Sequence, residues 1–87
     1  MKNDTGCLQV NRILDEYPTS AELDAIERVI RRIQLRSGMP VLDSDVLLSM
    51  PIGYPWVRLQ NAIRLLEMRG IGLHRPSYGL LSYRDLE

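Results

Sequence analysis

Apolar residues change their spacing once along this chain of 87 residues. Up to Gly70 they recur at steps of three and four; beyond it they alternate. The first spacing lines one face of a helix and the second lines one face of a strand. The chain is therefore predicted to be mainly α, with a small β-hairpin at its C-terminal end. At this length it forms one domain, and its core is small enough that every amphipathic helix must contribute.

The clearest helix begins at Thr19-Ser20-Ala21-Glu22, where a threonine cap and a glutamate three residues on make a capping box. Leu23, Ile26, Ile30 and Ile33 then share a face, with Val29 widening it. Gly38 and Pro40 end the helix, which should run from about Ser20 to Ser37. Val41-Leu42 is too short to stand alone and is expected to pair at a sheet edge. Asp43 is expected to cap a short helix over Ser44 to Met50, with Val46, Leu47 and Met50 inward. Pro51 and Gly53 mark a turn, and Pro55 suits the first turn of a third helix, Pro55 to Arg69. Its inward set is Leu59, Ala62, Ile63 and Leu66, and Gly70 stops it. Ile71 to Arg75 and Tyr78 to Tyr83 alternate on either side of Pro76-Ser77, which is the pattern of a hairpin. Tyr78 and Tyr83 are expected to cover the hairpin face. Before Pro18, Leu8, Val10, Ile13 and Leu14 are loosely helical, so residues 1–18 form an extension or short extra helix and 19–87 the domain.

Composition narrows the function. Eleven Lys and Arg balance eleven Asp and Glu, ten of the cations being arginine. The charge is polarised. Residues 1–27 carry two cations and six acids, whereas residues 55–84 carry five arginines and one glutamate. Arginine suits phosphates and guanine edges, and carboxylates on a protein partner equally well. Cys7 is the lone cysteine, so neither a disulfide framework nor a zinc cluster is expected, and no metal or cofactor is implied. No apolar run is long enough to span a membrane, and the N-terminus lacks a signal-peptide core; a cytoplasmic protein is expected. The only histidine, His74, lies in the predicted hairpin, away from any nucleophile, and there is no phosphate-cradling glycine loop. An enzyme is not expected.

The order helix, short extended piece, helix, turn, helix, hairpin is that of a three-helix core with an appended wing. Over about Ser20 to Tyr83 the chain resembles the winged helix-turn-helix family of DNA-binding domains. The segment Leu59-Gln60-Asn61-Ala62-Ile63-Arg64-Leu65-Leu66-Glu67-Met68-Arg69-Gly70-Ile71 carries the resemblance. It has the family's leucine near the end of the recognition helix, then polar residues, glycine and the aliphatic residue that opens the wing. The turn Met50 to Pro55 is richer in proline than is usual in the family, and Trp56 stands where small polar residues are common.

The resemblance implies a regulator or accessory factor that binds double-stranded DNA, with the third helix in the major groove and the wing on the backbone. Trp56, Arg58, Gln60, Asn61 and Arg64 would project from that helix. Arg58, Gln60 and Asn61 would read bases through paired hydrogen bonds. Arg64, Arg69, His74 and Arg75 would hold phosphates or reach the minor groove. A lone tryptophan in a small domain is usually packed inside, so Trp56 is also expected to pack against the turn. Arg28, Arg31, Arg32 and Arg36 are expected on the solvated back of the first helix, where they could also bind phosphates or a partner. Such factors often act as dimers, and residues 7–17 are the expected dimer surface. The small, bare domain suggests transcription regulation in a mobile element. The alternative is an adaptor or small inhibitor that uses the same scaffold to bind protein, favoured by the zero net charge and the acidic N-terminal third.

Overall fold

A computed structural model describes residues 16–87. The proposed dimer surface at residues 7–17 lies outside the described residues apart from Glu16 and Tyr17, as does most of the extension. Helix α1 spans Ser20–Ser37, β1 Val41–Leu42, α2 Asp43–Leu48 and α3 Trp56–Met68. Strands β2, Leu73–His74, and β3, Leu80–Tyr83, follow, and a 3-10 turn over Arg84–Leu86 ends the order. Among the described residues the chain is mainly helical, with three α-helices and a small antiparallel three-stranded sheet.

Helix α1 starts as its sequence requires. Thr19 Oγ1 accepts the Glu22 N–H at 3.1 Å, and the Gly38 N–H closes the other end on the Gln34 carbonyl at 2.7 Å. Its buried stripe is Leu23, Ile26, Ile30 and Gln34. Gln34 therefore takes the inward place that the apolar pattern assigned to Ile33, which is only half-buried. Helix α3 buries Leu59, Ala62, Ile63 and Leu66 against that stripe, as its spacing predicts.

Strand β1 is the edge piece expected of Val41-Leu42. Val41 faces Leu81 and Leu42 faces Leu80, while Leu73 and His74 of β2 face Tyr83 and Ser82, giving the order β1-β3-β2. Inward residues of the sheet, Val41, Leu73, Leu81 and Tyr83, complete the core. Asp43 is not a cap. It lies in the first turn of α2, its N–H donates to the Gly79 carbonyl at 2.9 Å, and Leu42 takes the capping position without a side-chain bond. The adjoining β-strand keeps the backbone in place at that point, so no side-chain cap is needed.

Between α2 and α3 the Tyr54 N–H reaches the Pro51 carbonyl at 3.1 Å, and Gly53 has φ +86°. A positive φ at the third position of a four-residue turn is where glycine is favoured. The turn carries Ile52 on its outer corner, fully exposed. Gly70, at φ +71°, takes the chain out of α3 in the left-handed conformation expected of it.

Candidate functional site

The face formed by α2, the Met50–Pro55 turn and the start of α3 is where the predicted DNA-reading residues should stand. Most of them are held by other parts of the chain.

Arg58 does not project. Its side chain is 14% exposed and its Nε donates to Glu22 Oε2 at 2.7 Å, while Nη2 pairs with Glu22 Oε1. Tyr54 O–H donates to the same Glu22 Oε2 at 2.6 Å. The forked arginine bond, together with Tyr54, lowers the Glu22 carboxyl to about 2. Burial, with the Glu22 hydrogen bond, pushes the Tyr54 phenol up to about 12. Arg58 sits one turn before Ala62, at the margin of the buried face, so its reach is toward α1.

The other candidates follow suit. Asn61 Nδ2 donates to the Glu16 carbonyl at 2.6 Å. Gln60 donates to Asp43 at 3.3 Å and accepts from Arg75 at 3.0 Å. Arg75 also donates to Glu67 at 3.1 Å, so it turns from the hairpin back onto α3. Arg69 reaches Asp24 at 3.2 Å. His74 Nε2 and Glu87 Oε2 lie 2.5 Å apart, and Glu87 also accepts from Ser82 at 2.7 Å. Only Arg64, of the seven, is exposed and has no ion pair among the described residues.

What does face outward is apolar. Ile52 and Leu48 are almost wholly exposed, Val57 is half-exposed, and Trp56 is 44% exposed. Trp56 is therefore not packed inside against the turn. Two grooves run along the turn and share Met50 to Tyr54 as a wall. One, about 380 Å³, is floored by Glu22 and Arg58 and includes Pro55; the other, about 230 Å³, is bounded by Leu47 and Leu48. Tyr78, between β2 and β3, is also fully exposed and does not cover the hairpin face. Tyr83 does, and is wholly buried.

From sequence, Trp56 is placed among the projecting residues but is also expected to pack against the turn, Ile52 falls in a turn, and Leu48 and Val57 are given no side, so the outward apolar face is not seen as one. The signal lay in the turn itself: Gly53 at its third position leaves Ile52 on the corner. Among the described residues no helix is long and apolar enough to cross a membrane, and no three His, Cys, Asp or Glu stand together as metal ligands.

Comparison with protein-family models, with curated proteins and with solved structures finds no match.

Proposed function

We propose that this chain is a winged helix-turn-helix module that binds another protein through the turn between α2 and α3. The winged reading is supported by the element order and by the sheet order β1-β3-β2, a shape compatible with that fold. One observation carries the binding reading. At the end of α3 that would enter a DNA groove, the exposed side chains are Ile52, Trp56 and Val57, while Arg58, Gln60 and Asn61 are bonded within the chain. Apolar side chains gathered around a groove, with tryptophan among them, suit a protein surface. They carry no charge to set against a phosphate.

A second reading keeps the DNA-binding regulator, acting in the cytoplasm and as a dimer. It is favoured by Arg64, exposed on the outward side of α3. It also draws on the Arg69 and Arg75 pairs, whose side chains are about one-third exposed and so cost little to exchange for phosphates.

The test sets the two readings against each other. Labelled mixed-sequence duplex DNA is titrated at low and moderate salt, and cross-linked protein partners are compared between the wild type, Ile52→Asp and Arg64→Ala. The protein reading expects no salt-sensitive DNA binding and a cross-linked partner lost only with Ile52→Asp. DNA binding that falls with salt and is lost with Arg64→Ala overturns it.

A further inference from the structure

Helix α1 has a second ordered face. Opposite its buried stripe, Ala21, Ala25, Arg28, Arg32 and Leu35 follow one another at steps of four, three, four and three, and Met39 stands just beyond the Gly38 cap. That is the spacing of a coiled-coil seam. All but the half-covered Ala25 are exposed, and Leu35 and Met39 are each more than 60% exposed although both are apolar. The face lies on the far side of α1 from α3, so it is separate from the turn described above.

Charge on this face is uncompensated among the described residues. Three other arginines of the helical core are neutralised within the chain, Arg31 by Glu27 and Asp85, Arg58 by Glu22 and Arg69 by Asp24, whereas Arg64 of α3 has no ion pair among the described residues. Arg28, Arg32 and Arg36 have no ion pair among the described residues. Both arginines of the seam stand between alanines on one side and Leu35 on the other, with Met39 just past the helix end. An apolar–cationic–apolar seam fits a helix of the complementary order.

We propose that this face of α1 docks an amphipathic helix of another protein, with two carboxylates about one turn apart at its centre and apolar residues on either side. A second copy of this chain is the wrong partner. Two-fold pairing centred between the arginines sets Arg28 against Arg32, and parallel in-register pairing sets each arginine against itself. A nucleic-acid backbone would use the arginines and leave Leu35 and Met39 idle. Arginine forks match carboxylates on a facing helix, because both repeat at about 6 Å per four residues. Together with the turn surface, this makes the domain two-sided, with an apolar site at one face and a cation-centred seam at the other.

The probe is a fluorescein-labelled synthetic helical peptide of about 18 residues. It has leucine and alanine at its outer seam positions and glutamate at the two central ones; a control peptide has lysine there. The full chain is expected to bind the glutamate peptide at low salt and not the lysine peptide. Arg28→Glu/Arg32→Glu should weaken the glutamate peptide by at least about tenfold and gain the lysine peptide. If that variant fails to fold, Arg28→Gln/Arg32→Gln is read in the same titration and should lose the preference between peptides. Equal binding of both peptides, or none to the folded wild type, overturns the proposal. So does salt-sensitive duplex DNA binding, or self-association in sedimentation, that charge reversal abolishes. Ile52→Asp should leave peptide affinity unchanged, so this seam and the turn surface stand or fall separately.

Discussion

The Gln34 side-chain amide grips the backbone of Tyr83 from both ends. Its Oε1 accepts the Tyr83 N–H at 2.8 Å and its Nε2 donates to the Tyr83 carbonyl at 3.2 Å. The same Nε2 also donates to Ser82 Oγ at 2.9 Å. Strand β1 reaches only to Leu81, so the helix supplies through one side chain the pairing that a longer strand would have given. At 2% exposure, that amide has no water to fall back on.

Gln34→Ala should therefore destabilise the domain by about 2–3 kcal/mol, because it leaves the Tyr83 backbone groups buried without partners. Gln34→Leu, which restores the volume, should be almost as harmful. Urea denaturation followed by circular dichroism checks both. Recovery of stability with leucine would mean that Gln34 acts by packing alone.

Stability should fall in acid through Glu22. Its carboxyl is lowered from 4.5 to about 2 by the Arg58 fork. The folded state thus binds the proton less readily than the unfolded chain does. The contribution is complete above about pH 4.5 and is lost as pH falls toward about 2. Glu22→Gln should flatten the melting-temperature profile across that window. An unchanged profile would place the acid sensitivity in other carboxylates.

Tyr83→Phe should be neutral or should stabilise by about 1 kcal/mol. The Tyr83 hydroxyl is buried with no hydrogen-bond partner among the described residues, and burial raises its phenol pKa. The Arg31 guanidinium lies 4.0 Å from the ring centroid, a contact that phenylalanine keeps. Thermal unfolding of the two proteins decides the matter. A clear loss on removing the oxygen would reveal a bond to the hydroxyl.

Trp56 is the chain's only tryptophan and stands on the proposed protein-binding turn. In the free protein its fluorescence should be open to quenching by iodide. A partner seated on the turn should protect it, whereas a partner on α1 should not. Protection in the free monomer would contradict its exposed position.

Much of the fold could be read from local chemistry. Thr19 and Glu22 mark the start of α1, Gly38 its end, and Leu59, Ala62, Ile63 and Leu66 the inward side of α3. These choices depend on residues within a few turns of one another. Even Val41-Leu42 was readable as an edge strand, since two apolar residues before Asp43 had nowhere else to pair. Gln34 was not, because its role depends on a strand 48 residues away ending where it does. Arg58 escaped for a similar reason. A helical wheel puts it at the edge of the polar face, and only the placing of Glu22, 36 residues earlier, draws it inward. The candidate contact residues were thus identified as polar and on α3, but their bonding partners were set by how the elements pack.

Glu22 holds two offices. Its N–H closes the first turn of α1 on Thr19, and its carboxylate fixes Arg58 and Tyr54. Positions 22, 54 and 58 therefore form one inheritable unit, with position 19 tied to it only through the backbone. A lineage that replaced the glutamate alone would take from Arg58 and Tyr54 the carboxylate they share, so viable routes of divergence must exchange 22 and 58 in concert while the threonine, free of that charge, drifts at its own pace.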